Sequence, residues 1–541
     1  MSTSILTAAQ MRVCDEHTIH DLGIPSQILM ERAARTVARY LLGHPSDFPD
    51  GTVLVLCGNG NNGGDGFAAA RFLADGSMGE RRAVVTGYAG SLTTSGLPDE
   101  AKMSVECARQ YRLAADAGVP VVTGDAIFSG FTQASVIVDA VFGIGISRPV
   151  EGFIARLLDA AAQSALPVLA VDIPSGLCAD TGRIMGTVLP ARDTVTMQAL
   201  KAGLLLGEGA NVCGRIAVCD IGIDISTANP PYATLADEQA LCLSLPPRRR
   251  RSHKGTYGRL LCVCGSVGMS GAAYLSSAAA MRTGVGLLEI LTPTDNRTVL
   301  QTALPEAIVS MYDAPHPRLA AITDAVRRAD GLTVGCGLGT SPASLDALGT
   351  VLEHIPTDGS VPVVLDADAL NLLARHPDLW NTALLSSPQK QVILTPHPAE
   401  MARLCRTSVA DILRDTSAAA LALSRERGVT VILKDAHTVI ASPDGQLSIC
   451  AAGNAGMATG GSGDVLAGIA GAIATQRRAD LSTRAISLHD VATAAVYLHA
   501  AAGDAAADAV GEYSLTASDI LHHIADVTRP LSNTKTPIHR E

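Results

Sequence analysis

The residues best placed to do chemistry fall in two glycine-rich runs, each carrying an aspartate: GNGNNGGDG at 58–66 and GGSGDV at 460–465. Roughly 400 residues separate them, more than one hydrophobic core usually spans, so two cores with one site each are expected. In the first run, glycines free the backbone to turn several N–H groups toward an anion. The asparagines add carbonyl oxygens of the kind that hold hard cations. Gly58-x-Gly60-x-x-Gly63 formally satisfies a dinucleotide fingerprint, but no acidic residue closes the next strand, VVTGY at 84–88. No Gly-Lys-Ser/Thr is present there, which excludes a triphosphate P-loop.

Two later strand ends match this run. Asp139 closes a strand in VDAVFGIGISRP at 138–149, and Asp172 and Ser175 follow another in VDIPSG at 171–176. In a doubly wound sheet the carboxyl ends of neighbouring strands line one crevice. Asn62, Asp139 and Ser175 are therefore candidates to share a monovalent cation, which leaves Asp172 free for acid–base work. A lone strand-end aspartate usually caps a helix. Two in glycine-rich surroundings favour a site.

The second run, inside NAGMATGGSGDVLAG at 454–468, directly precedes a helix expected from about Asp464. Free N–H groups and the helix dipole converge there, as an anion hole for a transferring phosphoryl group requires. Asp464 stands where it can take a proton from an attacking hydroxyl. Mere capping would need no glycines before it. Supporting loops follow other strands: GSVGMSGA at 265–272, GCGLG at 335–339, DADALN at 366–371, TPHPAE at 395–400 and KDAHT at 434–438. Lys434 and Thr438 could hold a nucleotide phosphate. Asp366 and Glu400 are candidate partners for magnesium-bound water, against the plainer reading of solvent-facing loop acids.

Positioning these groups requires alternating strands and helices. Residues 8–43 read as helix; 53–57, 83–86, 136–140 and 168–173 read as strands, and 67–73 as a helix. Regular structure fades after Ile223. A second series begins at 259–264 and continues at 286–291, 332–334, 361–365, 391–394 and 429–433. The rhythm predicts an α/β chain with two parallel-sheet domains, 1–226 and 256–528, a linker at 227–255 and a polar, frayed tail at 529–541. The four arginines at 248–251 read as solvated linker.

Composition sets bounds. The chain has 541 residues, 47% hydrophobic and 17% charged, with a formal net charge of −11, which argues against nucleic-acid binding. Twelve cysteines without paired CxxC spacing read as buried, reduced thiols rather than a zinc site. No signal peptide and no apolar run long enough to span a membrane are evident, so a cytoplasmic protein is expected.

The first-half motifs NNGGDG, VDAVFGIGISRP and VDIPSG, with TVTMQALKAG at 194–203, resemble the NAD(P)H-hydrate epimerase family over 1–226. The resemblance implies a Rossmann-like three-layer domain. It implies that hydrated nicotinamide cofactor binds at Asn61, Asn62, Gly63, Gly64 and Asp65, at Gly143, Ile144, Gly145, Ile146, Ser147, Arg148 and Pro149, and at Asp172. Potassium is implied at Asn62, Asp139 and Ser175, and Asp172 as the acid–base group. Met197 stands where an aromatic is expected.

The second half resembles the ribokinase-like superfamily, and within it the ADP-dependent NAD(P)H-hydrate dehydratases, over 240–528. That implies hydrate near Ala272, Gly337, His397 and Asp464, and adenine nucleotide at Lys434, Asp435, Ala436, His437, Thr438 and Gly463, with magnesium and ADP. Ala399 replaces an expected glycine. The joint expectation is repair of hydrated NADH and NADPH: epimerisation in the first half, then ADP-dependent dehydration of the S epimer, giving AMP and phosphate. A homo-oligomer is expected. The competing readings are a vitamin-alcohol kinase joined to a nucleotide-binding module, and an epimerase-like interaction module. The latter would have lost Asn62, Asp139, Asp172 and Ser175.

Overall fold

The computed structural model describes residues 3–78, 82–313, 319–479 and 486–532. Its contacts divide the chain into two units, Thr3–Ala233 and the part from Thr234 onward.

In the first unit seven strands form one sheet in the spatial order Val121–Thr123, Val84–Tyr88, Thr52–Cys57, Ala134–Ala140, Val168–Val171, Asp193–Met197, Arg215–Cys219. Every pairing is parallel. Strand Thr52–Cys57 shows why a continuous apolar run was needed. Val53, Val55 and Cys57 enter one core with the helices Ser26–Gly43 and Asn61–Asp75, while Leu54 and Leu56 enter the core on the opposite face. The strand order reverses between Thr52–Cys57 and Ala134–Ala140, the topological switch point where α/β sheets open a crevice. This is a Rossmann-like arrangement.

In the second unit the order is Ile308–Tyr312, Leu287–Pro293, Arg259–Val263, Gly331–Val334, Val363–Leu365, Val392–Leu394, Thr430–Leu433, Thr438–Ala441, Leu447–Cys450, Ala233–Leu235. Strand Thr438–Ala441 runs antiparallel to both neighbours; the other pairs are parallel. Helices Ser270–Thr283, Ser462–Ala479, Leu488–Val510 and Ala517–Thr528 pack together through an alanine-rich core. Among the described residues no helix is long and apolar enough to cross a membrane.

Several elements differ from the sequence reading. The helix expected over 8–43 is two helices, Ala8–His20 and Ser26–Gly43. Gly23 turns with φ 72°, and Pro25, which has no N–H to continue a helix, opens the second one. The helix expected at 67–73 starts six residues earlier, at Asn61, so the asparagines and glycines form its first turns rather than a loop. Residues 227–255, expected as linker, hold strand Ala233–Leu235 and helix Glu238–Ser244, the latter capped by Asp237. Arg248 in the arginine run lies over the Tyr257 ring at 3.8 Å. The expected tail begins with a 3-10 turn at Pro530–Ser532; positions 533–541 lie outside the described residues.

Candidate active sites

The first site is a cavity of about 1300 Å³ at the carboxyl ends of the first unit's strands. Its wall includes Asn61, Asn62, Asp65, Asp172, Met197 and Lys201, and every residue from Gly143 to Pro149. Glycines in the first run are fixed by close approach rather than by unusual φ. A Cβ on Gly63 would stand 1.9 Å from the Gly58 carbonyl oxygen, and one on Gly66 would stand 2.6 Å from the Ala140 Cβ. The helix can therefore enter flush against the two central strands, which brings Asn62 and Asp65 into the crevice.

Asp172 sits just beyond strand Val168–Val171 at φ 68°, a left-handed conformation that costs a non-glycine residue about 1–3 kcal/mol and clusters at functional sites. Its Oδ1 accepts hydrogen bonds from Lys201 Nζ at 2.6 Å, Thr196 Oγ1 at 3.2 Å and the Met197 N–H at 3.2 Å. Burial, then the charges of Asp172 and Asp15, push the Asp65 carboxyl far above the usual range.

Beside this cavity lies an anionic corner. Asp139 is wholly buried; its carboxylate accepts from the Ser175 N–H at 2.7 Å and Ser175 Oγ at 2.5 Å. Burial pushes it up to about 6, against the lowering effect of those bonds. Among the described residues it pairs with no cationic side chain. Asn62 approaches the same loop: a Cβ on Gly143 would stand 3.3 Å from its amide carbon, and its buried amide nitrogen has no partner. An unpaired buried carboxylate beside a hydroxyl and an unsatisfied amide is a donor set that suits a hard monovalent cation.

The second site gathers loops from across the second unit. A Cβ on Gly337, at φ 61°, would stand 2.7 Å from the Ala272 Cβ, so these two expected contact residues touch. Ser266 Oγ donates to the Gly337 carbonyl at 2.9 Å. Helix Ser462–Ala479 begins at the glycine run, with Gly461 at φ 92°. Asp464 lies in its first turn, and burial, then the Asp366 charge, lift its carboxyl to about 7.

Asp366 is not a solvent-facing loop acid: it is 1% exposed and accepts from Thr395 Oγ1 at 2.6 Å and Lys434 Nζ at 3.0 Å. Glu400 is also buried, 4.0 Å from Lys434 Nζ. Burial works against the Lys434 ammonium, but Asp366 and Glu400 outweigh it and raise its pKa. A Cβ on Gly463 would come within 3.2 Å of Nζ, which places the ammonium at the helix N-terminus. Ala367, which follows Asp366, holds φ 48°, the second strained non-glycine residue at a site.

His397 proves to be a helix cap. Its Nδ1 accepts from the Ala399 N–H at 3.1 Å and the Glu400 N–H at 3.4 Å, while the Glu400 carboxylate returns to the His397 N–H at 2.9 Å. Burial, then Lys434, lowers its pKa, so the ring is neutral with its remaining proton on Nε2. Within KDAHT, Lys434 is brought onto the carboxylate cluster, whereas Asp435 accepts from the Ala436 N–H in its own turn and Thr438 begins a strand.

Two functional candidates escaped the sequence reading. Lys201 lies in the quoted TVTMQALKAG segment, yet nothing in its spacing shows that the ammonium turns back to Asp172. Cys336 stands within GCGLG, 3.7 Å from Asp366 Oδ2. Cys336, Asp366 and Asp464 bring possible ligand atoms within 4.8 Å of one another. Tertiary folding, rather than local pattern, creates both.

Comparison with known proteins covers both units. A family model described as YjeF-related protein N-terminus matches residues 26–203, and one described as NAD(P)H-hydrate dehydratase matches residues 260–526. A bifunctional NAD(P)H-hydrate repair enzyme of Moorella thermoacetica is 35% identical over 540 residues, covering 97% of each chain. Its namesake from Escherichia coli is 35% identical, over 94% of this chain and 91% of its own. Among solved structures, a Bacillus subtilis ADP/ATP-dependent NAD(P)H-hydrate dehydratase co-crystallised with ATP and Mg2+ is 29% identical, over 55% of this chain and 98% of its own, with TM-score 0.46. With one-third identity sustained across both units and their connection, this chain belongs to the family of bifunctional NAD(P)H-hydrate repair enzymes.

Proposed function

We propose that the chain repairs hydrated NADH and NADPH at two sites, with Asp172 as acid–base group of the epimerase and Asp464 as base of the dehydratase. The observation that carries this reading is that each aspartate stands in its own site in opposite electrostatic surroundings: Asp172, at φ 68°, is bonded to a buried ammonium, while Asp464, in the first turn of a helix, faces the charge of Asp366.

In the first site the hydrated ring carbon bears a hydroxyl beside the ring nitrogen. In this reading that hydroxyl leaves as water, with the nitrogen lone pair forming a C=N bond, and water returns on the other face. Asp65, its carboxyl pushed up by burial, supplies a proton to the leaving hydroxyl; Asp172, clamped on Oδ1, accepts the proton of the incoming water. The first turn of helix Asn61–Asp75 and the 143–149 loop bind the remainder of the cofactor, the helix N-terminus facing its phosphates. Asn62, Asp139 and Ser175 would hold potassium, which would supply fixed positive charge next to this site.

In the second site Asp464 removes the hydroxyl proton while the terminal phosphoryl group of ADP is transferred to that oxygen. Phosphate then leaves from the ring, a ring proton is lost, and the dihydronicotinamide is restored with AMP released. The N-terminus of helix Ser462–Ala479 offers its free N–H groups to the phosphates, and Lys434 supplies positive charge there. Asp366 and Glu400 would hold magnesium through its waters, and the ion would supply positive charge to the phosphates; Lys434 Nζ already bonds Asp366 Oδ1 at 3.0 Å and lies 4.0 Å from Glu400 Oε2.

Single substitutions test the division of labour. Asp172→Asn should stop epimer interconversion and spare ADP-dependent dehydration; Asp464→Asn should do the reverse. A stable phosphorylated vitamin alcohol made from ATP would support the kinase reading instead.

A further inference from the structure

Lys201 is a buried lysine to which neither the sequence nor the family resemblance gives a role. Its side chain is 1% exposed. A buried ammonium is tolerated only when its charge is paired and its protons are bonded. All three N–H groups are taken: Asp172 Oδ1 at 2.6 Å, the Met197 carbonyl at 2.7 Å and Thr196 Oγ1 at 2.9 Å. No proton remains to offer a substrate, so Lys201 cannot be a general acid without breaking this set.

The backbone holds Lys201 in place from both sides. Residues Leu200–Lys201 form a short parallel pairing with Ser4–Leu6, in which Lys201 is opposite Leu6. Gln198 turns the chain at φ 65°, and its side-chain oxygen accepts the N–H groups of Ile221, Gly222 and Ile223 at 3.0, 3.1 and 3.0 Å. The ammonium is thus presented by a turn that is itself pinned at three points.

The consequence falls on Asp172. Three donors load Oδ1, whereas Oδ2 takes no hydrogen bond among the described residues, and Asp172 lines the cavity. The two carboxylate oxygens are therefore unequal. The other charged groups near it on the cavity wall are Asp65 and Asp15, both anionic when ionised, with Arg12, Glu106, Arg148 and Glu151 also lining the cavity. Lys201 is the cation bonded to the carboxylate.

We propose that Lys201 is a positioning residue of the epimerase: it fixes Asp172 by Oδ1, supplies the cation bonded to that carboxylate, and leaves Oδ2 as the oxygen that handles the proton. This inference rests on the assignment of Asp172 as the acid–base group.

The test uses the full-length protein without ADP, following conversion of purified R hydrate to S by chromatography across pH. Lys201→Met should lower kcat at neutral pH by at least 100-fold while KM stays within about threefold. The acid limb of its pH profile should move up by about one to three units. Lys201→Arg should recover part of kcat and return the limb toward wild type. Thr196→Val, an isosteric change in a strand, removes the hydroxyl that links the two groups; it should lower kcat about 5- to 20-fold with KM unchanged, and it decides the matter if Lys201→Met does not fold.

Unchanged dehydration of S hydrate with ADP reports an intact second unit in each variant. A folded Lys201→Met with wild-type kcat and acid limb would overturn the proposal, as would wild-type kcat in Thr196→Val where Lys201→Met is unfolded. Asp172→Asn run in parallel separates the failures. If it still epimerises, the acid–base assignment is wrong; if it is inactive while Lys201→Met is normal, only the role of Lys201 fails.

Discussion

Removing the Lys434 charge should cost the second unit both stability and catalysis, by an amount that the structure allows to be estimated. Lys434 Nζ lies 3.0 Å from Asp366 Oδ1 and 4.0 Å from Glu400 Oε2. At an effective dielectric of about 20, unit charges 3 Å apart attract by about 5–6 kcal/mol. Lys434 is 21% exposed, so solvent screens part of this, and deleting one partner of a largely buried pair typically costs about 3–4 kcal/mol. Lys434→Met should therefore destabilise the second unit by about that amount.

The single tryptophan, Trp380, makes the measurement specific. It lies in the second unit with Arg427 over its ring at 4.7 Å, so its fluorescence during urea unfolding reports on that unit alone. Adding Asp366→Leu to Lys434→Met should restore at least half of the loss, because the stranded carboxylate is then gone. Neither variant should dehydrate the hydrate at more than a few per cent of wild type. If Lys434→Met costs less than about 1 kcal/mol, or if the double variant is no better than the single, the buried-pair reasoning fails.

Other outcomes follow from the same geometry. Asp464 must be ionised to act as a base and titrates at about 7, so dehydratase kcat/KM should fall tenfold per unit as pH drops below 7 and level off above it; a flat profile between pH 5.5 and about 8 would contradict its role. Gly63→Ala would drive a methyl group to 1.9 Å from the Gly58 carbonyl oxygen, so thermal unfolding of the first unit should move down by several degrees and epimerisation should be lost, with dehydration retained. Replacing potassium by choline should slow epimerisation, and Asp139→Asn should make the remaining rate insensitive to potassium. Asp65→Asn, which keeps hydrogen bonding but removes the transferable proton, should lower epimerase kcat by about 100-fold or more, within the usual range for a general acid.

Much of the fold was legible because buried parallel strands need continuous apolar runs, and such runs as VLVLC at 53–57 and RLLCV at 259–263 announce themselves. Strands Asp193–Met197 and Arg215–Cys219 carry polar residues at alternate or terminal positions and were not evident, although the first of them is wholly buried. The placement of Asp139 and Asp172 at strand ends could be read from sequence, since the strands before them are clear. What could not be read is which groups fold back onto them. Lys201 reaches Asp172 across 29 residues, and Lys434 reaches Asp366 across 68. Such pairings are set by strand order, which local pattern does not contain. The first glycine run also differs from the sequence reading: its residues from Asn61 onward belong to the start of a helix, and Gly63 and Gly66 serve close packing against Gly58 and Ala140 rather than a curled loop.

The most direct test of two sites acting on one damaged cofactor is to incubate an equal mixture of R and S hydrate with ADP and follow the return of dihydronicotinamide absorbance. Wild type should restore the full signal, Asp172→Asn should stop near the fraction supplied as S, and Asp464→Asn should restore none while still equilibrating the epimers. Complete restoration by Asp172→Asn at the wild-type rate, or any restoration by Asp464→Asn comparable to wild type, would contradict the assignment of one reaction to each site.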